Sequence, residues 1–297
     1  MQYLHRDPEV LLLPDFLSAR DCEELVAASV DLERSPVAYA GWTEDVSEVL
    51  RLWLRGPAIW CGLFAFFARA DLLVALEAFG LSTLLAFGGA LLWTNRRRAA
   101  LGQQRTSRSK ALEGKTNAEI HLISKFSALL DVDPAHMEAV TLIKYEPFQF
   151  LKPHFDANDA GDVEDQDRGG QTLATLLVYL NTRKQDDQGG ETRFNDLGPL
   201  DVVPRQGDAC LFFPAHLDSL KRDQRLRHEG RPPLGENPKH IARIWLHHHP
   251  VKGQAGLDQA TIDRALAARH HAATTSLDEE KRRRTNNNAE ENNADSS

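Results

Sequence analysis

His154 and Asp156 stand two residues apart, and a second histidine, His228, follows 74 residues later. Residues two apart on a β-strand point to the same face, so His154 and Asp156 can reach one metal together. A third ligand from a distant strand would place two imidazoles and one carboxylate on one side of an iron. That donor set suits Fe(II) and leaves positions open for a cosubstrate and O2. His228, within Arg227-His228-Glu229-Gly230, is the candidate. Other groupings carry less. The histidines of His247-His248-His249 alternate faces on a strand that runs into Pro250, and His270-His271 falls in an expected terminal helix, facing solvent. The acidic stretch from Asp162 to Asp167 lacks the spacing of a calcium loop.

Such a site needs strands to carry it. Glu9 to Leu13 reads as a short strand closed by Pro14. Ser18 caps a helix expected over 19–32, with Leu25, Val26 and Val30 on one face. A second helix is expected over Asn117 to Leu130, ended by Asp131 and Asp133-Pro134. From Ala139 the pattern changes to short apolar runs at 139–145, 172–180, 200–203, 208–213 and 241–247. Asp-, Gly- and Pro-rich segments separate them. Short strands punctuated in this way predict a mainly β fold, a sandwich or jelly roll with flanking helices.

The 297 residues are enough for one substantial core or a core with an appendage. Net charge is 35 minus 43, or −8, which argues against a general electrostatic grip on nucleic acid, and none is expected as a partner. The basic runs at Arg96 to Arg98 and Lys281 to Arg284 read as solvated. Cys22, Cys61 and Cys210 lie far apart without CxxC spacing and read as unpaired thiols. The polar start, Met1 to Val10, is not a signal peptide.

One segment fits none of this. Pro57 to Ala68 is nearly all apolar, and Leu72 to Trp93 has Glu77 as its only charge before Arg96-Arg97-Arg98. Three readings compete: a single membrane helix at 72–93, a membrane hairpin that includes Pro57 to Ala68, or a soluble apolar helical insertion or sequence outside the folded unit altogether. A single span would put residues 1–55 and 105–297 on opposite sides of a bilayer. That is impossible if the N-terminal strand belongs to the same core.

The order of motifs resembles the prolyl 4-hydroxylase branch of the Fe(II)/2-oxoglutarate dioxygenases. It runs Arg105-Thr106-Ser107, Tyr145 nine residues before His154, His154-x-Asp156, Ala174-Thr175 leading to Tyr179-Leu180-Asn181, Gly189-Gly190-Glu191-Thr192, His228, Lys239 and Trp245. The resemblance implies a double-stranded β-helix (jelly roll). It implies Fe(II) on His154, Asp156 and His228, and 2-oxoglutarate as cosubstrate on Lys239, Tyr145 and Thr192. It further implies ascorbate as reductant and hydroxylation of a proline-containing polypeptide by O2, with release of succinate and CO2. Arg105, Glu138 and Trp245 become candidates for substrate contact. The alternatives are a related dioxygenase with a non-prolyl substrate, or a membrane-tethered binding protein on the same fold.

The expected layout is an N-terminal strand and helix of the catalytic unit (1–52), the apolar insertion (53–98), a dioxygenase core (105–250), a C-terminal helix (251–273) and a disordered tail (274–297). Membrane association would run through 53–98. The family points to the endoplasmic reticulum; without a span the cytoplasm is expected. Two positions depart from the family's peptide-binding pattern: Leu151 stands where a tyrosine is common, and Thr172 where an arginine is. Lys239 also follows His228 by one residue more than is usual, with Gly235-Glu236-Asn237-Pro238 to absorb the difference.

Overall fold

The computed structural model describes residues 1–35, 57–69, 72–74, 76–85, 88–89, 105–159, 161, 168–183, 188–198 and 200–275. The acidic stretch Asp162 to Asp167, both basic runs and the tail beyond residue 275 lie outside the described residues. The chain forms two units, Met1–Ser35 with Ser107–Ser297, and Pro36–Thr106.

The larger unit is built on two antiparallel sheets. The first comprises β1 (Gln2–Arg6), β2 (Glu9–Leu13), β3 (Glu33–Arg34), β4 (Arg108–Ala111), β5 (Thr141–Tyr145), β7 (Thr172–Tyr179), β10 (Ala209–Phe212) and β12 (Lys239–His247), in the order β1-β2-β10-β7-β12-β5-β4-β3. The second comprises β6 (Leu151–His154), β8 (Thr192–Phe194), β9 (Leu200–Val202) and β11 (His228–Gly230), in the order β6-β11-β8-β9. Side-chain alternation divides the first sheet between two cores. Leu176, Val178, Ala242, Ile244 and Leu211 pack outward against Cys22, Leu25, Leu122, Ile123 and Phe126 of two covering helices. Ile143, Tyr145, Leu177, Tyr179, Cys210, Phe212 and Ile241 face inward, toward Phe194 and Val202 of the second sheet. This is the expected jelly roll, with helices on one outer face. The strands buried on both faces, β7 above all, are the ones that read as continuous apolar runs.

The helix Asn117–Leu130 has the bounds its sequence predicts. Thr116 caps it by accepting from Glu119 N–H, and Asp131 ends it in the left-handed region at φ 53. The first helix is shorter than expected. It runs Ala19–Ala27 under the Ser18 cap, and Val30, placed by periodicity on its buried face, lies beyond its end and is exposed. Asp31, at φ 58, turns the chain there. The C-terminal helix begins at residue 259, not 251, because 253–255 form a separate short turn of helix.

The smaller unit, taken by itself, contains the helix Pro57–Arg69, with Trp60, Phe64 and Phe67 strongly exposed, and further helical residues at 72–74, 76–85 and 88–89. No helix among the described residues is long and apolar enough to cross a membrane. The single-span reading fails on topology as well, since β1 and β2 join the same sheet as β10 and β7.

Candidate metal centre

His154 closes β6, and His228 opens β11 directly opposite it in the antiparallel register. Their rings lie 4.3 Å apart. Asp156 comes just after β6, not on it, so a bend rather than strand parity brings its carboxylate beside the histidines. His154 Nε2 is 3.4 Å from Asp156 Oδ1, and His228 Nε2 is 3.6 Å from Oδ2. One ligand atom from each residue falls within 4.8 Å of the others, and among the described residues no other group of three does so.

Each part of the triad is oriented by its surroundings. His154 Nδ1 lies 2.9 Å from Lys152 O and His228 Nδ1 3.1 Å from Leu226 O. An Nδ1–H donated to these carbonyls leaves both Nε2 lone pairs for a metal. Phe194 and Phe212 pack on the His228 ring at 5.6 and 4.8 Å. Thr175, fully buried on β7, donates its hydroxyl to Asp156 Oδ2 at 2.8 Å. Gln171, also fully buried, fixes the chain just after Asp156. Its Oε1 accepts from Asn158 N–H at 2.8 Å, and its Nε2 donates to Asn158 O at 3.1 Å and Leu220 O at 2.8 Å. Burial alone would raise the Asp156 carboxyl, but His228 and His154 hold it well below the usual carboxylate range. Burial pushes the His228 imidazole down to about 4, against the pull of Asp156. An acceptor-rich set with a neutral imidazole and an ionised carboxylate fits a divalent iron.

A second cluster lies along the same interior. Lys239, the first residue of β12, pairs with Tyr145 at the end of β5 and is 1% exposed. Its Nζ donates to Thr192 Oγ1 over a long 3.4 Å, with the Tyr145 and Tyr179 ring centres 5.4 and 5.7 Å away. Tyr179 donates its hydroxyl to the same Thr192 oxygen at 3.1 Å. No carboxylate forms an ion pair with this ammonium among the described residues. Burial therefore brings its pKa down to about 7, helped by Arg183 and opposed by Glu191 and Cys210. A buried ammonium without a counter-ion is costly, and the carboxylate of a bound acid would relieve that cost.

The substrate candidates are placed differently. Glu138 is buried and already engaged. Arg168 Nη2 donates to its Oε1 at 2.6 Å, Arg243 Nη2 lies 3.4 Å from Oε2, and His247 Nε2 lies 3.4 Å from Oε1. His247 is thus a buried partner of Glu138, while Trp245 is buried with the Arg243 guanidinium stacked 3.5 Å over its ring. Arg105 is buried and falls in the smaller unit. Leu151 lies half-buried on β6, Thr172 is buried at the start of β7, and Phe148 is exposed with φ 65. Sequence reasoning missed Thr175 and Gln171 as supports of Asp156. Thr175 was visible as part of Ala174-Thr175, but its target depends on how β7 lies against the loop after β6.

Residues 140–247, which include His154, Asp156, His228 and Lys239, match the family model of the 2OG-Fe(II) oxygenase superfamily. The chain is also similar to prolyl 4-hydroxylase 1 of Arabidopsis thaliana, 38% identical over 140 residues, which cover 43% of this chain and 47% of that protein. A putative prolyl 4-hydroxylase of Acanthamoeba polyphaga mimivirus is 32% identical over 112 residues, 37% of this chain and 44% of that one. The chain spans about half the length of the curated relatives it matches. Among solved structures, the 2OG complex of the viral collagen prolyl hydroxylase of Paramecium Bursaria Chlorella virus-1 aligns at TM-score 0.48 and 19% identity, covering 80% of this chain and 94% of that one.

Proposed function

We propose that the chain is an Fe(II)- and 2-oxoglutarate-dependent dioxygenase that hydroxylates a polypeptide residue, proline first among them. The observation that carries the reaction type is one interior holding both halves of the requirement: the three-donor set His154, Asp156 and His228, and a buried Lys239 with no carboxylate ion pair among the described residues. Iron held by the three donors would couple oxidative decarboxylation of 2-oxoglutarate by O2 to hydroxylation of a substrate C–H bond. The chain's own residues bind and exclude. Lys239 and the Thr192 hydroxyl would take the distal carboxylate of the cosubstrate, with Tyr145 and Tyr179 closing its sides. Phe194 and Phe212 keep water from the His228 ring.

The peptidyl-proline part rests on the names of the relatives and is weighed against this chain's own departures. Leu151 and Thr172 replace two groups of the family's peptide-binding pattern, and Glu138 is tied into ion pairs. The test incubates the protein with Fe(II), 2-oxoglutarate, ascorbate and proline-rich peptides, reading succinate release and a peptide mass gain of one oxygen. Both are expected, and both should vanish in His154→Ala and Asp156→Ala. Succinate without any peptide gain across the panel would move the substrate away from proline. Folded protein that neither binds iron nor turns over 2-oxoglutarate would end the enzyme reading.

A further inference from the structure

Lys239 enters its pocket from an irregular approach, Gly235-Glu236-Asn237-Pro238, in which Pro238 has no N–H to donate. That approach is gripped from the end of β7. Asn181 Nδ2 donates to Pro238 O at 2.8 Å, while His240 N–H donates to Asn181 Oδ1 at 2.8 Å. One carboxamide therefore holds the residue before Lys239 and the residue after it. Two positions on, the buried Arg183 donates through Nη1 to Asn237 O at 2.5 Å and through Nη2 to Gln188 O at 3.2 Å. Gln188 begins the described approach to Thr192. Arg183 thus ties together the two segments that present Lys239 and Thr192.

The space for this tie is specific. Gly190 sits at φ +83, and a Cβ there would lie 3.0 Å from Arg183 Nε. Arg183 is also a second buried cation whose charge acts on Lys239, while Glu191 lies 3.7 Å from Arg231 Nη1.

We propose that Asn181 and Arg183 are positioning residues for 2-oxoglutarate, setting the direction of Lys239 and its separation from Thr192. The assignment rests on the functional reading above. It explains how a loop one residue longer than usual still delivers its lysine to the pocket.

The test measures 2-oxoglutarate affinity calorimetrically on the full-length, Mn(II)-loaded protein. Asn181→Leu and Arg183→Met should each weaken binding by roughly tenfold to a hundredfold, the range typical of lost supporting contacts around a ligand group. Mn(II) affinity should stay as in the wild type. In a Lys239→Met background, Asn181→Leu should cause no further loss, because its effect passes through the lysine. Unchanged 2-oxoglutarate affinity, an equal further loss without the lysine, or parallel loss of Mn(II) binding would each overturn the assignment. Should Asn181→Leu not fold, Asn181→Gln, which displaces the same groups by one methylene, takes its place. A wild-type protein that binds Mn(II) but not 2-oxoglutarate would sink the functional reading, and this assignment with it, with the metal centre left standing.

Discussion

Lys239 links charge, burial and ligand more tightly than any other residue of the candidate site. With its pKa brought down to about 7 by burial, a growing share of the ligand-free protein carries a neutral amine as pH rises above 7. A bound carboxylate would restore the ordinary high value, so binding above pH 7 takes up a proton and weakens as pH rises. Below about pH 6 the amine is already charged and no uptake occurs. Calorimetry of 2-oxoglutarate binding to Mn(II)-loaded protein, in two buffers of different ionisation heat, should show uptake at pH 8. The uptake should be absent at pH 5.5 and in Lys239→Met. Buffer-independent heats at pH 8 would contradict this. The lysine and the three candidate metal donors were legible in the sequence because each is an ionisable residue at a motif spacing. Thr175 and Gln171 were not, since a neutral side chain shows its role only through its partner, here Asp156 and Asn158.

Among the elements, what the sequence disclosed depends on how each is stabilised. The helix Asn117–Leu130 carries its own start and stop in Thr116 and Asp131, and β7 and β12 carry long apolar runs. The strands that hold the histidines are different. β6 (Leu-Lys-Pro-His) and β11 (His-Glu-Gly) are short and mostly polar, and they are strands only because they pair with each other and with β8. Glu119, third in its helix, combines a local signal with a tertiary one. Fully buried, it has its carboxyl pushed up to about 7 by burial, against the pull of the backbone N–H groups at Gly114, Thr116 and Lys115. A raised carboxyl means the unfolded chain ionises first, so the group costs nothing below about pH 4.5. Its cost grows as pH rises and is complete above pH 7. Glu119→Gln should therefore match the wild type at pH 4.5 and be more stable at pH 8, by on the order of 2 kcal/mol. Denaturant midpoints at the two pH values measure this, and an equal difference at both would refute it.

At the scale of the molecule, the two stretches of the larger unit, ending at Ser35 and resuming at Ser107, meet within that unit. Ser35 N–H donates to Ser107 O at 3.0 Å, and β3 pairs with β4 beside them. The sequence suggested an apolar insertion but not that the chain on either side of it pairs, because that pairing is made by β3 and β4, of two and four residues. The candidate site draws its three metal donors and its lysine from the larger unit. The proposed reaction directs O2 through this interior into both a cosubstrate and a substrate. The most direct measurement follows 18O from 18O2 into succinate and into a proline-rich peptide during one Fe(II)-dependent incubation. One labelled oxygen in succinate and one in the peptide, both lost in Asp156→Ala, are the predicted result. Unlabelled succinate, or label that persists in Asp156→Ala, would contradict the account.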